Sequence, residues 1–218
     1  MNDRDWKPLY QRILRDFGHM ESRDEESARM LDALLPTGRE LAEDSLGRMK
    51  GARVTVLGPA LTGFHPRSLA GPLVVADSAV SLLEDGVVPL AVVTDLDGDV
   101  EIIARLSAAG SVIVVHAHGD NQDRLDAVRK FKGPALGTCQ CAPMGNLRNF
   151  GGFTDGDRSA FLAEAFGASS IDLVGFDFEN PARKGGVYSD IKRRKLAWAK
   201  KLLRLVKIPV TMGGEPLV

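Results

Sequence analysis

The sequence predicts an α/β fold: a mostly parallel, doubly wound sheet with an N-terminal helical appendage. Three observations predict it. From Arg53 onward, apolar β-branched runs alternate with helix-length segments, the pattern of strands buried on both faces by crossover helices. The first fifty residues show only a helical period. Charged and imidazole side chains gather just beyond the ends of the strand-like runs, where ligands sit in such sheets.

The elements follow in order. In WKPLYQRILRDF, Trp6, Leu9, Tyr10, Ile13, Leu14 and Phe17 fall on one helical face. SRDEESARMLDALLP reads as a second helix, with Ser22 and Glu25 spaced as a capping box and Pro36 closing the segment. ELAEDSLGRMKG reads as a third, ending at Gly51. Residues 1–52 are therefore expected to form a helical segment that packs on the core or on a partner subunit and gives the sheet no strand. Residues 53–218 are left as the α/β domain. RVTVL, LVVAD, LAVVTD, SVIVVHAH, IDLVGFDF and IPVTM are the expected strands. Between them, helices are expected from near Val100 with Asp99 as cap, in QDRLDAVRKF with Asp120 as cap, and from near Asp157. The basic run KRRKLAWAKKLLRL reads as a solvated helix face whose first turn offers Lys192 or Lys195 to a phosphate. GTCQCAPMGN is expected to be a loop lining the site.

Composition narrows the function. The chain of 218 residues is long enough to bury a full core, and its net charge of -1 gives no whole-chain attraction to nucleic acid or anionic membrane. Any phosphate binding has to be local. Cys139 and Cys141, the two cysteines, match neither a secreted disulfide framework nor a four-ligand zinc site. The start, MNDRDWKPLY, lacks the apolar core of a signal peptide, and no apolar run approaches the length of a membrane span. A soluble cytoplasmic protein is expected, with neither nucleic acid nor membrane as partner.

The candidate chemistry lies at the strand ends. AVVTDLDGDV places Asp95 and Asp97 on one side of a continuing strand, and neighbouring carboxylates repel unless a proton or cation lies between them. Magnesium, which takes oxygen ligands from one or two carboxylates and the rest from water and phosphate, is the economical solution. Asp77 and Asp177 end two other strands and are candidate substrate-binding residues. VVHAHGDN adds His116, His118, Asp120 and Asn121; zinc ligation and hydrogen bonding to a phosphorylated or heterocyclic substrate both remain open there. In RNFGGFTDGDR, Gly151 and Gly152 allow close backbone approach, and the helix that follows suits an anion. Asn149, Thr154 and Asp155 offer hydrogen-bond groups to a planar heterocycle, and Arg158 adds a fixed positive charge. VLGPALTG lacks the P-loop signature but can meet a nucleotide through its backbone.

Taken together and in this order, TDLDGD, HAHGDN, GTCQ, NFGGFTDGDR and LVGFDF resemble the archaeal 6-hydroxymethyl-7,8-dihydropterin pyrophosphokinase family, over about Arg53 to the C-terminus. That family is similar in its catalytic core to thiamine pyrophosphokinases, whose GDxDS and GGRxDH motifs serve magnesium, nucleotide and substrate. TDLDGD resembles the first and GGFTDGD the second. Thr94 replaces the glycine, Gly98 replaces the serine, and the Arg and His of the second motif have no counterpart, which argues against thiamine. The resemblance implies diphosphate transfer from ATP to the pterin hydroxymethyl group with release of AMP, in a pathway to methanopterin or folate-type cofactors. It implies Mg2+ at Asp95 and Asp97, and ATP and a pterin as partners; a homodimer is the expected assembly. His118 and Asp120 are candidate general bases.

Three other classes share these residues. DLDGD resembles the DxDG[TV] nucleophile motif of haloacid-dehalogenase phosphatases, with Asp99 at the Thr or Val position. A regulator that binds nucleotide without turnover would keep the same site. A nucleotide-sugar transferase would use the carboxylate pair as a DxD metal motif.

Overall fold

The structure, a computed structural model, describes residues 1–35, 39–60, 71–180 and 190–217. Pro36 and the last three residues of VLGPALTG, 61–63, lie outside them. The chain opens with three helices, α1 (Asp3–Phe17), α2 (Glu21–Leu34) and α3 (Arg39–Leu46), followed by a 3-10 turn at Gly47–Met49. Asn2 caps α1 by accepting from the Asp5 amide, and Gly18 ends it at φ 68°, a left-handed conformation that glycine adopts at little cost. The expected capping box of α2 does not form. That helix starts at Glu21, so Ser22 already lies inside its first turn and no side chain caps it.

The sheet follows as β1 (Arg53–Leu57), β2 (Leu73–Ala76), β3 (Ala91–Thr94), β4 (Val112–Ala117), β5 (Ala135–Cys139), β6 (Ser170–Val174), β7 (Val210–Met212) and β8 (Glu215–Pro216). Helices α4 (Val100–Ala108), α5 (Asp155–Ala165) and α6 (Asp190–Leu203) lie between strands, with 3-10 turns at Asp77–Leu82 and Gln122–Lys130. The strand order is β5-β4-β3-β2-β1-β6-β7-β8. Every pair is parallel except β7 with β8. The α/β, mostly parallel reading therefore holds, and no strand comes from the described residues before Arg53.

Three local expectations change. Ala135–Cys139 is a strand, pairing with β4 from Ile113↔Ala135 to Ala117↔Cys139, instead of part of a loop. It hides because Gly137 interrupts its apolar pattern; a Cβ there would collide with the side chains of Leu35 and Leu147, so packing demands a residue that β propensity disfavours. QDRLDAVRKF is a 3-10 helix preceded by Asn121, and Asp120 does not cap it. The helix expected near Asp157 begins two residues earlier, where Thr154 and Asp157 form a reciprocal capping box. Asp99 does cap α4, accepting from the amides of Glu101 and Ile102.

Strand alternation splits the core in two. Val54, Val56, Val74, Val93, Val114 and Leu173 pack with Ala42 and Leu46 of α3, Ala160 and Leu162 of α5 and Leu203 of α6. Leu57, Val75, Val92, Ile113 and Val115 pack with Trp6, Tyr10 and Ile13 of α1, Leu31 of α2 and Ile103 of α4. The N-terminal helices thus share a core with the sheet. Among the described residues no helix is long and apolar enough to cross a membrane. From β1 the strands step outward to β5 on one side, and the chain returns to β6 on the other. Loops leaving β1 and β6 therefore diverge and open a crevice at the carboxyl ends of the strands.

Candidate active site

Three of the acidic strand-end residues meet in this crevice. β3 ends at Thr94, and the chain then turns through Leu96 at φ 67°, the one non-glycine among the described residues with positive φ. That conformation costs a branched side chain energy. It is held by the burial of Leu96, 2% exposed, and by its amide, which donates to Thr94 Oγ1 at 2.8 Å. Asp95 and Asp97 reach a common side through this left-handed turn, not by continuing the strand. Asp77, from the end of β2, completes the group: carboxylate oxygens of Asp77, Asp95 and Asp97 lie within 4.8 Å of one another. Gly98 is required here, because a Cβ on it would strike Asp77 Oδ1.

The carboxylates differ in environment. Asp77 is 2% exposed; Oδ2 accepts from the Thr94 hydroxyl at 2.6 Å, while buried Oδ1 has no hydrogen-bond partner. Burial raises its pKa to about 6, with the charges of Asp95 and Asp97 adding to the rise and the Thr94 hydrogen bond opposing it. Burial would likewise raise Asp95, but His118, by hydrogen bond and charge, and then Arg158 hold it well below the usual carboxylate range. His118 Nε2 lies 3.1 Å from Asp95 Oδ2, and its Nδ1 accepts from the Asp120 amide at 3.3 Å. Both ring nitrogens thus have a neighbour, and the ring orients the Asp95 carboxylate.

A consequence is measurable. Asp77 holds its proton more tightly in the folded chain than in the unfolded one, so its contribution to stability falls as pH rises from about 4 to about 6 and stays unfavourable above that. Asp77→Asn is expected to stabilise the metal-free protein at pH 7.5 by on the order of 1–3 kcal/mol and to change little near pH 4, read by urea denaturation. A destabilised variant at pH 7.5 would show that the buried carboxylate is not under this load.

The glycine stretch serves the fold more than a ligand. Gly151 and Gly152 have φ of 89° and 95°, and a Cβ on Gly152 would meet the Arg158 backbone at 2.7–2.8 Å. The close approach expected there is made by α5, not by substrate. Asn149 donates its amide to the carbonyls of Gln140 and Cys141 and accepts from the Gly151 amide, so its side chain ties neighbouring loops together. Asp157, fully buried, accepts from the amides of Phe153 and Thr154 and from the Thr154 hydroxyl. Asp155 and Arg158, one turn apart on α5, do face the crevice, with Arg158 Nη1 3.1 Å from Asp155 Oδ1. Burial and the charge of Asp95 raise the Asp155 pKa against the pull of Arg158.

Two more expected ligand residues turn out to be structural. Asn121 is fully buried; its oxygen accepts from the His118 amide, and its NH2 donates to the carbonyls of His116 and Asp95. His116, 2% exposed, pairs through Nδ1 with Thr138 Oγ1 at 3.0 Å, and burial, then Arg158, hold its pKa well below the usual imidazole value. It lies in the core, and among the described residues it belongs to no group of His, Cys, Asp and Glu close enough to hold a metal ion. Asp177 stands at the rim of the crevice, but its carboxylate caps its own turn, accepting from Glu179 and Asn180.

Two cavities share this end of the sheet. The larger, about 540 Å³, runs from Pro59 and Ala60 after β1 past Asp77, Asp95 and Asp97 to Phe176 after β6, with Lys192 and Lys195 of α6 along one side. The smaller, about 180 Å³, lies beneath the junction of α1 and α2 and is lined by His19, Met20, Arg23 and Asp24 together with His118, Asp120 and Gln140. Sequence reasoning missed this second cavity, for its N-terminal wall carries no motif. The one signal was Asp24, a carboxylate on the face of α2 that also turns Ser27, Ala28 and Leu31 inward. It is 2% exposed and accepts from Tyr10 Oη at 2.6 Å, Gln140 Nε2 at 2.8 Å and the Gly119 amide at 2.7 Å.

Fold and site thus define a doubly wound α/β protein with a carboxylate cluster at the carboxyl ends of β2 and β3, flanked by two ligand-sized cavities. The chain belongs to the 6-hydroxymethylpterin diphosphokinase MptE-like family, which residues 72–183 match. It is 40% identical over 217 residues to a Pyrococcus furiosus protein named 6-hydroxymethyl-7,8-dihydropterin pyrophosphokinase, covering 93% of each chain. Proteins of the same name from Methanothermobacter thermautotrophicus and Methanocaldococcus jannaschii are 40% and 34% identical, over 91% and 95% of this chain and 92% and 96% of theirs.

Proposed function

We propose that this chain transfers diphosphate from ATP to 6-hydroxymethyl-7,8-dihydropterin with Mg2+ at Asp77, Asp95 and Asp97, on the way to tetrahydromethanopterin or folate-type cofactors. The observation that carries the reading is the Asp77–Asp95–Asp97 cluster at the mouth of the larger cavity. Its donors are all oxygen, as magnesium prefers. Asp77 Oδ1, buried and without a hydrogen-bond partner, is the atom such an ion would satisfy. The names of the relatives supply the pterin.

When bound, the ion neutralises phosphate charge and fixes the geometry of the phosphate chain. The protein does the rest. The larger cavity has room for a nucleoside triphosphate. His118 and the Asn121 bond to the Asp95 carbonyl hold Asp95 in place. Arg158 and Lys195 put fixed positive charge beside the cluster, where charge develops during transfer. In the reaction the pterin hydroxyl oxygen bonds to the β-phosphorus and the bond from that phosphorus to the α,β-bridging oxygen breaks. AMP leaves with that oxygen, and the hydroxyl proton passes to a carboxylate or to water. His118 and Asp120, which both line the smaller cavity, are the two candidate bases.

Incubating the protein with ATP, Mg2+ and the reduced pterin, then resolving AMP from ADP, tests the reaction. AMP with pterin diphosphate is the expected result, and ADP or inorganic phosphate as sole product would overturn it. Mg2+ is also expected to raise the wild-type melting temperature more than that of Asp77→Asn, because the ion binds the folded site alone.

A further inference from the structure

We infer that the smaller cavity, walled by the N-terminal helices, is the pterin chamber, and that the hydroxymethyl group meets the nucleotide across a boundary formed by Asp95, Phe153, Arg158 and Lys195. This rests on the diphosphate-transfer reading and adds where the acceptor sits and which part of the chain selects it. Those four residues line both cavities, so a ligand in either one touches them. A transfer between two bound molecules has to occur where their sites meet. The boundary carries one carboxylate of the acidic cluster and two cations, the composition an in-line phosphoryl transfer needs.

Size and chemistry assign the occupants. At about 180 Å³ the chamber admits a small bicyclic heterocycle and is too small for a nucleoside triphosphate, whereas the other cavity holds three times that volume and opens on Asp77 and Asp97. A pterin edge alternates hydrogen-bond donors with acceptors and carries no charge. The chamber offers the matching mixture: the Asp120 carboxylate as acceptor and the Arg23 and His19 side chains as donors. Its apolar wall is Phe153, fixed from behind by Phe17 at the end of α1, ring centroids 4.9 Å apart. Lys195 Nζ stands 5.8 Å from the same ring. Asp24 closes the arrangement by tying α2 to the Gly119 amide and to Gln140, so the chamber wall and the loops after β4 and β5 are fixed together. The N-terminal helices thereby become the specificity element of the enzyme, and Thr154 and Asp155, expected at a pterin edge, fall on the nucleotide side.

The test compares ligand affinities in variants that narrow one cavity at a time. Met20→Trp and His19→Trp intrude on the chamber, and Ser78→Trp intrudes on the larger cavity. Fluorescence titration with 6-hydroxymethylpterin and with α,β-methylene ATP plus Mg2+ reads each site. The chamber variants are expected to weaken pterin binding tenfold or more with nucleotide affinity within twofold of wild type. Ser78→Trp is expected to do the reverse. Selective loss of pterin in Ser78→Trp, or unchanged pterin binding in both chamber variants, would overturn the assignment. AMP release by the wild type separates the two claims. If it is present, a reversed pattern removes only the chamber; if it is absent while pterin binding follows the expected pattern, only the diphosphate-transfer reading falls.

Discussion

Asp95→Asn is expected to lower turnover about a thousandfold, ~4 kcal/mol of lost transition-state stabilisation, without unfolding the protein. Asp95 belongs to the acidic cluster, lines both cavities and is the carboxylate that His118 holds. An amide of the same shape keeps one oxygen but loses the charge that the proposed magnesium ion would need and that faces the His118 ring. Asp97→Asn removes an exposed member of the same cluster, so it should act mainly by raising the magnesium concentration required, with partial recovery when the ion is in excess. The measurement is AMP release as a function of Mg2+ for both variants and the wild type. Unchanged magnesium dependence in both would remove the metal assignment. A phosphoaspartate trapped on Asp95 would turn the reading toward the phosphatase class that DLDGD also resembles.

The second large effect is expected at Arg158. Its side chain is 8% exposed, with Nη1 on Asp155 and Nη2 3.5 Å from Gln140 Oε1. Removing one partner of a buried pair leaves the other uncompensated, so Arg158→Ala should cost about 3 kcal/mol of stability as well as activity. Arg158→Lys separates the two effects. It restores a charge near Asp155 and should recover most of the stability, but it lacks the planar fork that spans Asp155 and Gln140. Recovery of stability with kcat still at least tenfold down is the expected pattern, read by urea denaturation and single-turnover kinetics. Wild-type kcat in Arg158→Lys would reduce this residue to a structural tie.

Much of this arrangement was legible because local pattern and tertiary position agree. The β-branched runs are strands, Asp77, Asp95 and Asp97 converge at their ends, and Asp99 caps a helix, all from signals that lie within a few residues of one another. What could not be read depends on distant neighbours. β5 contains a glycine because Leu35 and Leu147 occupy the space its side chain would need. Asn121 and Asn149 have the right chemistry for a heterocycle, yet their polar atoms are taken up by carbonyls and amides of nearby loops. The turn at Leu96 brings two carboxylates together in a conformation that its sequence does not favour. Asp24 looked like one more charge on an amphipathic helix, and its partners lie 95 and 116 residues further along the chain.

Those separations set the order in which the protein can be made. Helices α1 and α2 leave the ribosome first with Trp6, Tyr10, Ile13 and Leu31 uncovered, and the Gln140 groups that receive Trp6 and Asp24 follow more than a hundred residues later. At roughly 5–20 residues per second that is on the order of ten seconds during which these two bonds wait for Gln140, while Leu57, Val75 and Val92 of the shared core arrive sooner. Loop closure over such spans is slow relative to forming a helix. Full activity is therefore expected to lag the far-ultraviolet signal during refolding, because the wall of the smaller cavity needs contacts that span 95 and 116 residues.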